Sequence, residues 1–152
     1  MEIHVKAFAD MTPLELYKCM KLRVDVFVCE QECLAPELDD RDQDAVHVWI
    51  EENGRAEAYL RVLDRGVESE YVALGRVVTR KATRGKGYGA IVMQEGIRVA
   101  REQFQADRIY LEAQTYAEGF YMKQGFHRIS EEFILDGMPH YKMLWEEKEN
   151  VT

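Results

Sequence analysis

The distribution of apolar and polar residues along the chain predicts a mixture of strands and helices. Alternation with a period of two indicates a strand, whereas apolar residues that recur three or four positions apart indicate one face of a helix. The predicted strands cover 3–8, 46–51, 55–63, 74–79, 108–113, 127–134 and 141–145. The predicted helices cover 13–27, 90–104 and 117–123. Antiparallel strands early and a strand–helix–strand unit later predict an α/β (α+β) fold, a mixed central β-sheet flanked by helices.

Cap and turn residues support several of these boundaries. Thr12 is a typical helix N-cap, Pro13 occupies the first helical position, and Glu15 completes a capping box. Asn53-Gly54 separates two strands and predicts a β-hairpin. A second turn, Asp136-Gly137, separates the last two predicted strands.

Composition and charge narrow the class of protein. The 152 residues, 47% of them hydrophobic and 32% charged, predict one globular domain over residues 1–152. No apolar run approaches the ~20 residues that span a bilayer, and the start has no signal-peptide pattern. We therefore expect a soluble, cytoplasmic protein without a membrane partner. The net charge of −8 argues against a nucleic-acid partner and favours small amines.

Two polar features have ordinary interpretations. The acidic segment 37–44 contains five carboxylates, and we interpret it as a solvated loop rather than a cation site. Cys19, Cys29 and Cys33 lie in or near one predicted helix, which is a poor disulfide framework, and no second pair completes a zinc site. We therefore expect buried or half-buried free thiols and no metal site.

A glycine-rich segment, Arg84-Gly85-Lys86-Gly87-Tyr88-Gly89, lies between a predicted strand and a predicted helix. Closely spaced glycines let a backbone approach a ligand, and unpaired amides at a helix N-terminus attract anions, so the segment predicts a phosphate site. A Walker loop would end in Gly-Lys-Ser/Thr, which Lys86-Gly87-Tyr88 does not supply. Gly85, Gly87 and Ala90 match the Rossmann spacing G-x-G-x-x-A, but too little chain follows for a second nucleotide-binding half.

Two motifs carry a family resemblance. Arg84, Gly87 and Gly89 stand at the positions of R-x-x-G-x-G/A, and a second motif, 120–126, reads Phe-Tyr-Met-Lys-Gln-Gly-Phe after a strand that ends in 111–114. In this order and spacing they resemble the GNAT superfamily of N-acetyltransferases. Further segments resemble the ElaA family within it. These segments are Leu22-Arg23, 26–33, the acidic stretch through Asp44, His47 and 136–140.

The resemblance implies a single-domain GNAT fold and acetyl-coenzyme A (acetyl-CoA) as the acetyl donor. The residues whose amides would hold the pyrophosphate are Arg84, Gly85, Lys86, Gly87, Tyr88, Gly89 and Ala90. Backbone groups of Val77, Val78 and Thr79 would line the pantetheine arm, and an amide of this strand would polarise the thioester carbonyl. In an open sheet this places the cofactor between the strands that end near Thr79 and Gln114.

The resemblance also implies catalytic residues. Tyr121 is the candidate acid that would protonate the departing thiolate, and the alternative is a core tyrosine that packs the short helix beside Phe120 and Phe126. Glu112 and His140 compete as the base. Glu112 is either a base, as in several superfamily members, or an ordinary polar residue at a strand end. His140 is a candidate because an imidazole can exchange a proton near neutral pH, although a lone histidine more often makes a structural hydrogen bond.

An acceptor pocket follows by the same resemblance. Glu30 and Gln31 are candidate substrate-binding residues, with a hydrogen-bonded helix terminus as the alternative. His47 and Gln114 are weaker candidates. The asparagine common in the second GNAT motif is replaced by Thr115-Tyr116-Ala117, which leaves the contacts near the thiol of the cofactor unassigned.

Three functional hypotheses remain open on the sequence. The first is an N-acetyltransferase that moves an acetyl group from acetyl-CoA to a primary amine of a small molecule or a peptide side chain. The second is a non-catalytic acyl-CoA-binding sensor or regulatory module. The third is an acyl-homoserine-lactone synthase. The first helix loosely resembles that of such enzymes, but they usually have a longer chain. Apolar edge strands near the carboxyl end are compatible with a homodimer.

Overall fold

Eight strands and three α-helices form a mixed α/β sheet structure in the computed structural model, which describes residues 1–148. The strands are β1 Glu2–Ala7, β2 Val46–Glu52, β3 Arg55–Leu63, β4 Val72–Thr79, β5 Arg108–Gln114, β6 Phe126–Arg128, β7 Phe133–Leu135 and β8 Met138–Glu146. The α-helices are α1 Pro13–Arg23, α2 Tyr88–Phe104 and α3 Glu118–Lys123. The predicted fold class is therefore confirmed. The last four residues of the predicted domain, 149–152, lie outside the described part of the chain.

The order of the strands creates an opening in the middle of the sheet. Neighbouring strands follow the order β1-β2-β3-β4-β5-β8-β6, with β7 paired to β8. β4 and β5 are parallel and are connected through α2, whereas the other pairs are antiparallel. Among the described residues, β4 and β5 pair only at Val72↔Ile109 and Ala73↔Tyr110. Their carboxyl ends therefore diverge, which is where open sheets bind ligands.

A bulge in β4 lies beside this opening. The register between β3 and β4 shifts by one residue between Tyr59 and Arg61, and Arg76 has a φ of 53°. A bulge leaves one residue out of the ladder and bends its strand. The carboxyl half of β4 thus turns away from β5 and exposes backbone groups to the space between the two strands.

Helices cover both faces of the sheet. On one face, the buried side of α2 packs on the central strands, and Gly96 lets it approach closely, because a Cβ there would lie 2.8 Å from Leu60 Cδ2. On the other face, Cys19, Leu22 and Val26 pack against β2 and β3. Within residues 1–148, no helix combines the length and the apolar character that crossing a membrane requires.

The first helix differs from its prediction in its second half. The helical pattern continues beyond α1, but Val24–Glu30 forms a π-helical segment in which the amide of Gln31 donates to the carbonyl of Val26 at 2.8 Å. The wider turns change which side chains face the sheet. This segment, and not a regular helix end, forms one wall of the opening between β4 and β5.

The predicted strand 127–134 was wrong, because β6 and β7 are separate strands. Both pair with the same side of β8, but four residues, 129–132, stand opposite two residues of β8. Ser130 fills the gap: its hydroxyl oxygen accepts from the amide of Lys142 at 2.9 Å and its hydroxyl group donates to the carbonyl of Glu131. The three consecutive polar residues Ser130-Glu131-Glu132 mark this interruption in the sequence, and the predicted strand ran through them.

Candidate active site

A cleft of about 180 Å³ opens between the diverging ends of β4 and β5. Its other walls come from the π-helical segment, the loop that follows it and the turn between β7 and β8. The predicted site residues that line it are Gln31, Val77, Glu112, Gln114, Tyr121 and His140. The fold thus brings together residues from five separate segments.

The glycine loop, residues 84–89, stands at the carboxyl end of β4 and leads into α2. Gly85 and Gly87 have φ values of 95° and 82°, which favour glycine, and a Cβ at either position would meet no heavy atom within 4 Å. The amide of Ile91 donates to the carbonyl of Gly87, but the amides of Tyr88, Gly89 and Ala90 have no acceptor among the described residues. The loop therefore offers unpaired amides at a helix N-terminus with open space before them, which suits a diphosphate.

Two of the predicted pyrophosphate amides are already occupied. The amide of Arg84 donates to the carbonyl of Lys81 and the amide of Lys86 donates to the carbonyl of Thr83, at 3.3 and 3.2 Å. These bonds form the tight turn that precedes α2. The predicted amides that remain available for a pyrophosphate are therefore those of Gly85, Gly87, Tyr88, Gly89 and Ala90.

Close packing explains the last glycine of the loop. A Cβ at Gly89 would lie 3.3 Å from Thr79 Oγ1 and 3.4 Å from Phe120 Cζ, so a side chain there would push α2 away from β4 and α3. The hydroxyl of Tyr88 donates to Glu52, which ties the same helix end to the β2–β3 hairpin. The amides at the start of α2 are therefore held in place by contacts on two sides.

Arg84 and Glu30 form an ion pair beside the loop. The guanidinium donates to both carboxylate oxygens of Glu30, at 2.6 and 2.7 Å, and to the carbonyl of Thr79, at 3.2 Å. Glu30 is not among the residues that line the cleft. The structure thus places Glu30 at the glycine loop and not in the predicted acceptor pocket.

The three predicted residues of β4 face different surroundings. Val77 lines the cleft, whereas the side chain of Val78 is buried in the cluster beneath α1. The carbonyl of Thr79 already accepts from Arg84. A ligand in the cleft can therefore contact the side chain of Val77 but only the backbone of Val78.

The position of Tyr121 is compatible with both of its predicted roles, as a proton donor and as a structural core residue. Its ring is buried on α3 and packs edge-on against Phe120 and Phe126, with ring centroids 5.2 and 6.4 Å apart. It also lines the cleft. Burial raises the pKa of the phenol above its usual value, with a smaller contribution from Tyr116, so the hydroxyl is protonated at neutral pH.

Glu112 is half-buried on the cleft side of β5. Burial raises the pKa of its carboxyl to about 7, and a hydrogen bond to Glu68 and the charge of that residue act in the same direction. Lys142 and Arg41 act in the opposite direction. A carboxyl with such a pKa can accept a proton near neutral pH, as a general base must.

His140 lies opposite Gln114 in the β5–β8 register. Its Nδ1 is 2.8 Å from the carbonyl oxygen of Met138. Because a carbonyl only accepts, Nδ1 carries the hydrogen, and Nε2 of the neutral ring is left with its lone pair. The structural hydrogen bond considered from the sequence is therefore present, and it orients the ring without using the second nitrogen.

Gln31 and Gln114 connect two walls of the cleft. The side-chain amide of Gln114 donates to the side-chain carbonyl of Gln31 at 3.2 Å. Gln31 ends the π-helical segment and Gln114 ends β5. Both predicted acceptor-pocket residues therefore lie in the cleft and contact each other.

His47 lies apart from these residues. Its side chain is fully buried, with Nδ1 2.7 Å from the hydroxyl of Tyr59 and Nε2 2.9 Å from the carbonyl of Asp42. Burial lowers the pKa of the imidazole, which favours the neutral ring. His47 is not among the cleft residues and serves to hold the segment around Asp42 against β2 and β3.

The interpretation of segment 37–44 as a solvated loop was wrong for three of its five carboxylates, whereas Asp40 and Asp44 are exposed. Three of its carboxylates form a buried network with three arginines that are distant in sequence. The contacts that define this arginine network are Arg23 Nη1–Asp42 Oδ1 at 2.7 Å, Arg61 Nη1–Asp42 Oδ1 at 3.0 Å, Arg61 Nη2–Asp39 Oδ2 at 2.5 Å and Arg76 Nε–Glu37 Oε2 at 2.5 Å. Arg23 and Arg61 are almost fully buried. Such cations require the carboxylates, because an unpaired buried charge is strongly unfavourable.

The arginine network shapes the cleft. Burial alone would raise the pKa of Asp39, but the hydrogen bonds and charge of Arg61 hold it well below its usual value. Asp39 therefore stays ionised and keeps the loop fixed, and Glu37, Arg61 and Arg76 of the network line the cleft. The acidic residues that line the cleft outside this network are Glu68, Glu112 and Asp136.

Thiols and possible metal ligands lie mostly outside the cleft. The three cysteines are free, as expected; Cys19 is buried, Cys33 is half-buried and lines the cleft, and Cys29 is exposed, unlike the prediction. Glu2, His4 and Glu51 gather at the β1–β2 edge of the sheet. The ammonium group of Lys18 lies 2.9 Å from Glu51 and supplies a positive charge there.

Comparisons with known proteins identify the family of the chain. A family model described as an acetyltransferase (GNAT) domain matches residues 12–147. ElaA of Escherichia coli is 31% identical over 137 residues, which are 89% of this chain and 90% of ElaA. Its crystal structure matches with a TM-score of 0.88 and covers 96% of this chain and 100% of that chain.

Two further solved structures bear on the hypotheses. An acyl-CoA N-acyltransferase from Pseudomonas aeruginosa is 34% identical, with a TM-score of 0.88, and the match covers 95% of this chain and 99% of that chain. The acyl-homoserine-lactone synthase LasI has a TM-score of 0.75 but is 16% identical, over 95% of this chain and 89% of its own, so the likeness shows a shared fold alone. The chain belongs to the GNAT superfamily of acetyltransferases and is similar to ElaA.

Proposed function

We propose that the protein is an N-acetyltransferase that moves an acetyl group from acetyl-CoA to a primary amine of a small molecule or a peptide side chain. One observation carries the proposal. The unpaired amides of the glycine loop and a cleft that contains a carboxyl, an imidazole and a phenol lie at the same end of the sheet, between β4 and β5. Suitable groups for donor binding and acyl transfer thus lie at one end of the sheet, where Val77 of β4 lines the cleft and the glycine loop follows the end of β4.

The residues present fit acetyl-CoA as the donor. The amides of Tyr88, Gly89 and Ala90 have no acceptor within residues 1–148 and would hold the diphosphate at the positive end of α2. The backbone of β4 beyond the bulge would bind the pantetheine arm, and one of its amides would stabilise the oxyanion of the tetrahedral intermediate. When bound, acetyl-CoA supplies the reactive thioester carbonyl.

The cleft also suits an amine as the acceptor. A primary aliphatic amine is mostly an ammonium ion at neutral pH and must lose a proton before it can attack. Glu112 or Nε2 of His140 would take that proton. The neutral nitrogen would then form the C–N bond with the acetyl carbon, and the C–S bond would break. The Tyr121 hydroxyl would donate its proton to the departing thiolate and regain one from the nitrogen, which must lose a second proton to give the neutral amide.

An amine-panel assay tests the proposal. Thiol release from acetyl-CoA is measured with purified protein and a panel of primary amines, and acetylation is confirmed by the mass of the product. Amine-dependent release supports an N-acetyltransferase. Tight acetyl-CoA binding in calorimetry without release for any amine would instead support the acyl-CoA-binding module, for which the packed ring of Tyr121 would be purely structural.

A further inference from the structure

Arg76 combines a backbone conformation that favours glycine with a long, charged side chain. Its φ of 53° lies in the left-handed region, and within residues 1–148 no other left-handed residue lies inside a strand. It belongs to the bulge of β4, where Arg76 and Val77 together stand opposite Leu60. Glycine is the usual left-handed residue of a bulge, but the glycine of β4, Gly75, stands one position earlier. Contacts of the side chain must therefore hold Arg76 in this conformation.

The side chain of Arg76 is anchored on a loop that is distant in sequence. Its Nε donates to Glu37 Oε2 at 2.5 Å, and its Nη2 donates to the carbonyl oxygens of Glu37 and Pro36 at 3.2 and 3.5 Å. The same Nη2 lies 3.5 Å from Asp39 Oδ2. Two backbone carbonyls and two carboxylates thus fix both the position and the direction of the guanidinium, because its donors form a rigid plane.

The loop that receives Arg76 is itself held from the other side. Nη2 of Arg23, whose side chain is fully buried, donates to the carbonyl and to the carboxylate of Glu37, at 3.1 and 3.4 Å. Arg61 donates two hydrogen bonds to Asp39, at 2.8 and 2.5 Å. Arg76 is therefore tied to a buried network. A strained backbone conformation persists only where the surrounding contacts hold it in this way, and such residues cluster at active sites.

The bulge determines where the following part of β4 points. Successive peptide groups of a strand point to opposite sides, so a change of conformation at one residue redirects those that follow. Within residues 1–148, β4 has no partner residue on β5 beyond Ala73, and Gly75, Arg76 and Val77 line the cleft. The backbone groups of β4 that face this opening therefore take their direction from the conformation of Arg76.

We propose that Arg76 is a positioning residue: its side chain, anchored on Glu37, holds the bulge of β4 in the conformation that aims an amide of this strand at the thioester carbonyl. The inference rests on the proposed function and deepens it, because it names the residue that sets up oxyanion stabilisation. In this role Arg76 contacts neither the donor nor the acceptor. Oxyanion stabilisation depends on donors that are held in position before the reaction, so a relaxed bulge loses catalytic rate while donor affinity changes little.

The first experiment uses the free protein and needs no turnover. The φ angle of residue 76 and the amide signals of Val77 and Val78 are measured by NMR in the wild type and in Arg76→Ala. Without the guanidinium, residue 76 is expected to leave the left-handed region, because alanine is strained there. The two amides are then expected to shift and to exchange with solvent about tenfold faster or more. A left-handed conformation that persists in Arg76→Ala would overturn the proposal.

Gln105 provides a matched control. It is also left-handed, with a φ of 50°, but it caps the carboxyl end of α2 and does not line the cleft. Gln105→Ala places an alanine at a positive φ just as Arg76→Ala does, and it should leave the amide signals of Val77 and Val78 and the rate of acetyl transfer unchanged. Equal changes at Val77 and Val78 in the two variants would overturn a specific role of Arg76.

Arg76→Gly keeps the test decisive if Arg76→Ala does not fold. Glycine adopts a positive φ without strain, so this variant removes the anchor and adds no steric conflict. The amides of Val77 and Val78 should again exchange about tenfold faster than in the wild type, because nothing then confines residue 76 to the left-handed region. Exchange at the wild-type rate in Arg76→Gly would overturn the proposal.

Kinetics then connect the bulge to catalysis. With an amine identified by the panel assay, Arg76→Ala and Arg76→Gly should lower kcat by about 10-fold to 10²-fold, while the KM for acetyl-CoA changes less than about threefold. A higher KM with an unchanged kcat would mean that Arg76 shapes donor binding instead, and would overturn the proposal. A wild type that transfers no acetyl group would overturn the oxyanion role together with the proposed function, whereas the NMR measurements would still decide whether Arg76 holds the bulge.

Discussion

The carboxylate of Glu30 accepts two hydrogen bonds from the guanidinium of Arg84, and this contact joins the π-helical segment to the glycine loop. The pair is partly exposed, with 28% and 44% of the two side chains accessible to solvent, so its contribution to stability is small, at about 0–1 kcal/mol. Its electrostatic consequence is larger, because Glu30 neutralises the cation beside the amides that would hold a diphosphate.

Glu30→Gln should therefore tighten acetyl-CoA binding. With Arg84 no longer neutralised, we expect the Kd from calorimetry to fall roughly threefold at low salt and the difference to vanish at high salt, where exposed charges are screened. Glu102→Gln is the matched control, since it removes a carboxylate that pairs with Arg98 on α2. A higher Kd for Glu30→Gln would mean that the pair is needed to order the loop.

Gly87→Val should abolish acetyl-CoA binding. At a φ of 82° a valine is strained, at a cost of about 1–2 kcal/mol, and its side chain would project into the open space before the amides of α2. Gly66→Val is a matched control, because Gly66 has a φ of 88°, equally open surroundings and a position away from the loop. Calorimetry should show binding for Gly66→Val alone. Unchanged affinity of Gly87→Val would contradict the assignment of the loop.

The glycine loop could be predicted from the sequence because its chemistry is local. The strand, the glycine-rich loop and the helix are consecutive in the sequence. The second motif, which contains Tyr121, follows after the next strand. The cleft residues Gln31 and Gln114 could be proposed only by family resemblance, since 83 positions separate them.

The arginine network escaped prediction for a physical reason. Arg61 and Asp39 are 22 positions apart, and Arg76 and Glu37 are 39 apart, so nothing in the local pattern joins them. An acidic loop and a set of distant arginines have the same composition whether they are solvated or paired. Only the three-dimensional arrangement distinguishes the two cases.

Tyr121→Phe should separate the two interpretations of that residue. Removing the hydroxyl keeps the packing against Phe120 and Phe126, so the fold and the Kd for acetyl-CoA should change little. If the hydroxyl protonates the thiolate, kcat should fall by about 10²-fold or more. Tyr17→Phe, at an exposed position of α1, is the control. Full activity of Tyr121→Phe would leave the tyrosine with a structural role only.

The base can be identified from the pH dependence of kcat/KM. Glu112 accepts a proton only when ionised, so activity should be present above its pKa of about 7 and be lost as the pH falls through that value. An imidazole base would give a similar acid limb in the pH profile, so variants of both residues are needed to identify the base. Glu112→Gln should remove the acid limb and His140→Gln should keep it. The reverse result would identify His140 as the base, and loss of the limb in neither would mean that solvent takes the proton.

Asp42→Asn should destabilise the protein more than any exposed carboxylate change. The Asp42 carboxylate accepts hydrogen bonds from both Arg23 and Arg61. Its removal deprives two buried guanidinium groups of a shared anionic partner, at an expected cost of about 3–5 kcal/mol in the free energy of unfolding. Glu95→Gln, which breaks an exposed pair on α2, should cost less than about 1 kcal/mol. Urea denaturation at pH 7 measures both.

The acid dependence of stability provides a second test of the arginine network. The pKa values of Asp39 and Asp42 are lowered in the folded protein because the hydrogen bonds and charges of Arg61 and Arg23 outweigh the effect of burial, while both carboxyls have the ordinary value of 3.8 when unfolded. The unfolded chain therefore binds more protons in acid. The stabilisation is fully present above pH 3.8 and is lost as the pH falls towards the folded-state values. Asp42→Asn removes one of these carboxyls, so its free energy of unfolding should decline less steeply below pH 4 than that of the wild type. Parallel declines in urea denaturation would show that Asp42 does not carry a lowered pKa.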